Sequence, residues 1–342
     1  MWALTMIQQA IEKMVNRQPL TFGEASDSMT EIMNGQATAA QFGAFVTALR
    51  LKGETVDEVA GMAQVMREKS LHVQVSGPVV DTCGTGGDAS GTFNISTASA
   101  LVVAGTDQKV AKHGNRAMSG SSGSADVLEA LNVKITLSPE GVERCLDEVG
   151  IGFMFAQTFH PSMKFAAGPR REIGIRTVFN ILGPLTNPAG ATSQVIGVAS
   201  RDVGELMARV LGILGTKHAL IVHGEGAVDE ISLSGPTEVW ELKGGEVQAF
   251  EVSPKSFGLE VMSGAGITVD SVEQSAKTIL NVLDGEDGPA RNVVLANAAA
   301  ALLVAGKADS LKEGVERAAR SIDSGAAKAK LDAFAQLSQK LE

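Results

Sequence analysis

Apolar side chains recur every three or four residues through the first seventy positions. They fall into the sets Met29, Ile32 and Met33, then Phe42, Phe45 and Leu49, then Val59, Met62, Val65 and Met66. That spacing puts each set on one face of a helix. The helix starts are marked too: Thr21 with Glu24, Thr38 with Gln41 and Thr55 with Glu58 each have the spacing of a capping box, whose two side chains satisfy N–H groups at the first turn. Gly35 and Gly53 stand where a left-handed cap ends a helix. Residues 2–17 set Gln8, Gln9, Glu12 and Lys13 among apolar positions at the same period, which predicts an opening helix and not a signal peptide.

From Val79 the texture changes to short β-branched runs, then glycine-rich loops, then Ala-rich helical stretches. This is the rhythm of a mostly parallel sheet. Strands are predicted at 79–81, 110–111, 152–156, 195–199 and 220–223, with a hairpin of 238–242 and 247–252 turning at Gly244-Gly245. Helices follow at 98–103 and 125–131, the chain from 271 onward is helical, and 292–304 is apolar enough to be a buried helix. The expected fold class is therefore α/β, a mostly parallel sheet domain over 72–342 with a smaller all-helical domain over 1–71.

Composition narrows this picture. With 342 residues, 44% of them hydrophobic, the chain can bury a large core. A formal charge of -10 disfavours a general nucleic-acid or anionic-membrane surface, and no run is long and apolar enough to span a membrane uninterrupted. Two local exceptions are cationic: Lys109, Lys112 and Arg116, and Lys164, Arg170, Arg171 and Arg176. Such islands in an acidic protein suit a small, multiply anionic substrate. Cys83 and Cys145 are distant and lack metal-ligand spacing, which points to a reducing cytoplasm. Nothing near Cys83 marks it as an activated nucleophile, so it is read as a small buried residue.

The candidate chemistry sits in the loops after the strands. Gly84, Gly86, Gly87 and Gly91 lie between a predicted strand and a helix that Asn94, Ser96 or Thr97 can cap. Glycines there let successive N–H groups converge on phosphate oxygens, beside the positive end of the helix. The turn lacks both the Lys-Ser/Thr ending of a Walker loop and the Gly-x-Gly-x-x-Gly pattern, so it points to a phosphate but not to ATP or NAD. A second loop, 112–124, carries Lys112, His113, Asn115 and Arg116 followed by glycines and serines, and in open α/β sheets such neighbouring loops share one crevice. Arg170 offers a planar fork for a carboxylate. Asp229 and Glu230 follow the strand at 220–223, and adjacent carboxylates opposite two phosphate loops suit Mg2+.

In combination and order these residues resemble the anthranilate phosphoribosyltransferases, a family of the nucleoside-phosphorylase type. The resemblance covers nearly the whole chain. It rests on Ala48-Leu49-Arg50, Lys52-Gly53-Glu54-Thr55, Gly84-Thr85-Gly86-Gly87-Asp88, Asn94-Ile95-Ser96-Thr97, Lys112-His113-Gly114-Asn115-Arg116, the 123–129 segment, His160-Pro161, the 179–184 segment and Asp229-Glu230. It implies transfer of the phosphoribosyl group of phosphoribosyl pyrophosphate to anthranilate in tryptophan biosynthesis, with about 164–188 returning to the helical domain of a homodimer. By the same resemblance Gly84, Gly87, Asp88, Thr92, Asn94, Ile95, Ser96, Thr97, Lys112, His113, Gly114, Asn115, Gly120 and Ser124 hold phosphoribosyl pyrophosphate. Ser96, Asp229 and Glu230 bind Mg2+, while Gly84, Asn115, His160 and Arg170 line the anthranilate path. No residue is singled out as an acid or base; Lys112, Asn115 and Arg170 act by positioning and charge. Ala117, Met118 and Asn132 depart from the family pattern beside these positions. Two alternatives stand beside this reading: a pyrimidine nucleoside phosphorylase, which has less need of the Asp229-Glu230 pair, and a nonenzymatic nucleic-acid-binding relative, which the net charge disfavours.

Overall fold

The structure is a computed structural model, and it describes residues 4–117, 122–263 and 266–341. Four helices open the chain: α1 (Met6–Val15), α2 (Phe22–Met33), α3 (Ala39–Lys52) and α4 (Val56–Glu68). The three predicted capping boxes are all formed, with the Thr21, Thr38 and Thr55 hydroxyls accepting from the N–H groups of Glu24, Gln41 and Glu58. Glu58 goes further than a cap. Its carboxylate, fully buried, also accepts from the Leu20 N–H at 2.8 Å and pairs with Lys52 Nζ at 2.8 Å. The end of one helix, the start of the next and an earlier loop are thereby joined on one charge.

The α/β part continues with β1 (Val80–Gly84), α5 (Ile95–Ala104), β2 (Val110–Gly114), α6 (Ser124–Ala130), α7 (Pro139–Glu148) and β3 (Ile151–Phe155). Next come α8 (Ala156–Phe159), α9 (Lys164–Ile173), α10 (Phe179–Leu182), β4 (Ser193–Gly197), α11 (Gly204–Ile213), β5 (His218–Gly224), β6 (Thr237–Lys243) and β7 (Glu246–Val252). Helices α12 (Val272–Leu283), α13 (Pro289–Val304), α14 (Leu311–Asp323) and α15 (Ala326–Ser338) finish the chain. The sheet has the order β3-β2-β1-β4-β5-β6-β7. Its first five strands are parallel, and β5, β6 and β7 pair antiparallel through the expected hairpin.

Each face of the sheet is buried by a different set of helices. One carries Val80, Val110 and Val195 against Ala100 and Leu101 of α5 and Val294 and Ala298 of α13, the apolar helix expected at 292–304. The other carries Ile196, Ile221 and Trp240 and belongs to the same buried cluster as Met207 and Leu211 of α11 and the core of the N-terminal helices. That second cluster also takes in Ala166, Val178, Phe179 and Leu182, and the Phe42 and Phe179 rings lie 5.3 Å apart.

The strands run beyond the sequence windows on their C-terminal side at β1 and β2. The added residues are Thr82, Cys83 and Gly84 in one and Lys112, His113 and Gly114 in the other. Polar and glycine residues end an apolar pattern, yet the parallel ladder carries the chain on to Gly84 and Gly114.

Candidate active site

Four of the five parallel strands end in glycine: Gly84, Gly114, Gly197 and Gly224. A Cβ on Gly84 or Gly197 would overlap Asp229, and one on Gly224 would stand 2.5 Å from the Glu230 carbonyl. Bare strand ends thus let the segment after β5 cross directly over the sheet. The Gly224 N–H donates to the Val228 carbonyl at 2.9 Å, and the buried Asn297 of α13 accepts from the Ile231 N–H at 3.0 Å, so both ends of the crossing are tied.

The glycine turn after β1 lies against this crossing. Gly86 and Gly87 take φ of 66° and 75°, a region that costs side chains energy. The Gly86 N–H donates to Asp229 Oδ2 at 2.7 Å. Asp88 organises the turn by accepting from the Ser90 N–H at 3.3 Å. Beyond it, the Phe93 N–H donates to Ile267 and the Val269 N–H to Gly91, both at 2.8 Å, which braces the approach to α5. Asn94 is the cap of that helix and accepts from the Thr97 N–H at 3.3 Å.

Lys112 reaches the same place from β2. It is 2% exposed, and Nζ donates to the Thr82 carbonyl at 2.5 Å and to Ser96 Oγ at 3.1 Å. Burial lowers its pKa, while Asp81 and Glu230 oppose that shift. Asp81, fully buried in β1, accepts from the His113 N–H at 3.2 Å and from Asn187 Nδ2 at 2.7 Å. Burial raises its pKa to about 6 against the pull of Lys112.

These groups surround a cavity of about 300 Å³. Its wall comprises residues 83–96, 112–117 and 122–124, with Arg176, Asn180, Asp229 and Glu230. Of the residues expected to hold phosphoribosyl pyrophosphate, Gly84, Gly87, Asp88, Thr92, Asn94, Ile95, Ser96, Lys112, His113, Gly114, Asn115 and Ser124 line it. Thr97 does not: it is 1% exposed and its hydroxyl bonds Asn94 Oδ1, the work of a helix cap. Gly120 and Met118 lie outside the described residues.

His160 and Arg170 also stand outside the lining. The His160 ring is buried 5.0 Å from that of His113, and burial pushes its pKa down to about 4. The Arg170 guanidinium lies over the Phe179 ring at 5.4 Å. Lys109, grouped with the cationic islands by sequence, instead pairs with Asp147 at 2.7 Å away from the cavity. Cys83 is part of the cavity wall and only half-buried; its thiol is nevertheless pushed well up, first by burial and then by Asp81, so it is not an activated nucleophile.

Arg176, Asn180 and the Asp81–Asn187 pair carried no individual role in the sequence reading. Asp81 did leave a signal there, as a carboxylate closing an apolar strand run. Asn187 left none, because its partners Asp81 and the Ala111 carbonyl are remote in sequence.

The carboxylates fit a divalent cation. Burial and then Asp88 raise the Asp229 pKa to about 7, and burial and then Asp229 push Glu230 well above the carboxylate range. Asp88 Oδ2 is buried with no hydrogen-bond partner. Among the described residues no three His, Cys, Asp or Glu side chains form a metal cage by themselves. A cation here would therefore take further oxygens from water and a phosphate, as Mg2+ does. A pH effect follows. Because Asp229 has a folded pKa of about 7 against an ordinary 3.8, the folded state binds the extra proton, and its contribution to stability falls as pH rises between those values. Mg2+ is expected to raise Tm clearly at pH 8 and little at pH 5. Equal shifts by thermal unfolding at the two pH values would remove Asp229 from the metal site.

A two-part fold that brings an anion turn, a buried lysine and paired carboxylates together at the strand ends is the site of an enzyme that handles a phosphorylated substrate with a metal ion, and the family models give its class as a glycosyl transferase. Comparison with known proteins agrees. Residues 76–328 match the glycosyl transferase family a/b domain and residues 8–70 its helical bundle domain. The anthranilate phosphoribosyltransferase of Thioalkalivibrio sulfidiphilus is 55% identical over 95% of this chain and 96% of its own length. The crystal structure of the Thermus thermophilus enzyme of that name superposes with a TM-score of 0.91, at 41% identity over 96% of this chain and 99% of that one. That from Saccharomyces cerevisiae, in complex with PRPP and Mg, gives 0.90 at 26% identity over 99% of each. The chain belongs to the anthranilate phosphoribosyltransferase family. The phosphorylase and nucleic-acid-binding alternatives find no support in these relatives.

Proposed function

We propose that the chain transfers the 5-phosphoribosyl group from phosphoribosyl pyrophosphate to the amine of anthranilate, releasing pyrophosphate, in tryptophan biosynthesis. The observation that carries this reading is the meeting of the glycine turn, Lys112 and the Asp229-Glu230 crossing around one cavity. Ser96, Asp229 and Glu230 are the residues that would hold Mg2+. Bound there, the ion would neutralise charge on the pyrophosphate.

Each protein group then has a physical task. Gly84, Gly87, Asp88, Thr92, Asn94, Ile95, Lys112, His113, Gly114, Asn115, Gly120, Ser124 and the helix start that Asn94 caps, with Thr97 bonded to that cap, form the phosphoribosyl pyrophosphate end. Lys112 Nζ, desolvated and already oriented, stabilises charge developing on the leaving group without reorganising. The aryl amine is neutral at pH 7, so positioning it against the ribose carbon replaces the need for a strong base. His113, whose pKa burial pushes down, stays neutral beside it. Asn115 would orient the amine and Arg170 pair with the carboxylate, with Gly84 and His160 along the path. Arg170 is presented beside this site from α9, its guanidinium over the Phe179 ring.

We further infer that residues 1–71 with about 164–188 form one domain and the rest of 72–342 the other. Burial of Ala166, Val178 and Phe179 together with Phe42 and Phe45 supports that division. A homodimer through the helical part is proposed, supported by the exposed Phe22 and Leu51. No described helix is long and apolar enough to cross a membrane, in keeping with a cytoplasmic enzyme.

The test is direct. With Mg2+, purified protein should consume anthranilate fluorescence only when phosphoribosyl pyrophosphate is present. No turnover, with phosphorolysis of thymidine or uridine instead, would overturn the reading. In the same assay Arg170→Ala is expected to raise the anthranilate KM roughly 10- to 100-fold, the worth of a lost charge-assisted hydrogen bond. A change confined to the other substrate would reject that role.

A further inference from the structure

Arg176 spans from the helical part of the molecule to the glycine turn. One terminal nitrogen donates to the Gly86 carbonyl at 3.1 Å and the other to the Gly87 carbonyl at 3.2 Å. Its own carbonyl accepts from the Arg50 guanidinium, so α3 holds the backbone from which the side chain reaches. A Cβ on Gly87 would overlap this guanidinium, which shows how closely it lies on the turn.

The two carbonyls matter because a trans peptide is planar, with C=O and the following N–H pointing in opposite directions. Holding the Gly86 and Gly87 oxygens therefore sets the directions of the Gly87 and Asp88 N–H groups. The Gly86 N–H is already committed to Asp229. The next two N–H groups are donors the turn can offer an anion, and the guanidinium sets their aim. It also offsets the two carbonyl dipoles, which would otherwise be free to turn toward the anion.

Accordingly, we propose that Arg176 is a positioning residue for diphosphate recognition: it orients the 86–88 peptides and makes that orientation depend on the placement of α3. The proposal rests on the activity inferred above. It differs from a direct substrate contact, because the guanidinium acts through the backbone of the turn.

The test uses inorganic pyrophosphate with Mg2+, read by calorimetry on the intact protein, so it stands apart from turnover. Arg176→Ala is expected to weaken pyrophosphate binding about tenfold. It should raise the phosphoribosyl pyrophosphate KM to a similar extent while leaving the anthranilate KM within threefold. Arg176→Lys, whose single nitrogen replaces the rigid two-nitrogen fork that meets the two carbonyls, should recover only part of the loss. Arg50→Ala, which leaves the Arg176 side chain intact but frees its backbone, should weaken pyrophosphate binding in the same direction by a smaller factor. Added guanidinium at millimolar concentration should partly rescue Arg176→Ala without changing the wild type. Unchanged pyrophosphate affinity in Arg176→Ala, or a rise confined to the anthranilate KM, would overturn the proposal. So would a normal affinity in Arg50→Ala beside a large loss in Arg176→Ala, because that pattern belongs to a direct contact. Absence of transferase activity in a wild type that still binds pyrophosphate through Arg176 would instead count against the assigned reaction.

Discussion

Gly197→Ala is expected to lower kcat/KM for the phosphoribosyl transfer at least a hundredfold. The added Cβ would overlap the carbonyl of Asp229, and neither partner can yield cheaply. Gly197 is held in register with Gly84 on one side and Val222 on the other. The crossing segment is tied at Val228 and again at Ile231. What moves is the carboxylate pair, and a misplacement of about 1 Å can cost 10²-fold in rate. The fold itself should lose only about 1–3 kcal/mol, the usual cost of overpacking. Gly23→Ala is the matched control, since nothing lies within 4 Å of the added methyl and its helix should gain slightly. Steady-state kinetics of the two variants decide the matter; normal turnover in Gly197→Ala would mean that Asp229 and Glu230 do not act from this position.

Lys112→Met should damage both stability and rate. The field of its ammonium opposes the burial of Asp81 and Glu230, so its loss leaves both carboxylates less compensated. Loss of an oriented donor to a leaving group adds roughly a 10²- to 10³-fold fall in kcat. Arginine is not an adequate replacement, because a planar fork does not fit where a compact ammonium meets one carbonyl and one hydroxyl.

The pH dependence gives a sharper check. Asp81 already has its folded pKa at about 6, above its ordinary 3.8, so the folded state holds more protons and stability falls as pH rises through that window. Without Lys112 the folded pKa rises further and the fall continues to higher pH. The difference between variant and wild type should be larger at pH 8 than at pH 5 in urea unfolding. An equal difference at both would show that Asp81 and Lys112 are not coupled.

The helical half was legible because its signals are local. Each capping box joins residues three apart, and Thr21, Thr38 and Thr55 all do what their spacing predicts. The pyrophosphate end was legible for a related reason: its residues sit in unbroken runs after β1, β2 and β5, and parallel strands bring those runs to one edge. What could not be read depends on distance along the chain. Arg176 meets Gly86 and Gly87 about ninety positions earlier, and Asn187 meets Asp81 across a gap of 106. Thr97 shows how local bonding hides in a motif, since its hydroxyl is turned to the side chain of Asn94, which caps the helix.

The glycine-ended strands also bear on how such a fold can diversify. A rim made of bare peptide imposes no side-chain chemistry of its own at Gly84, Gly114, Gly197 or Gly224, so the character of the crevice is written by the segments laid across it. Those segments are anchored by backbone and by buried groups such as Asn297, beneath the surface a ligand meets. The sheet is then a neutral shelf, and exchange of the overlying loops is the route by which a new substrate is reached while the core below keeps its packing.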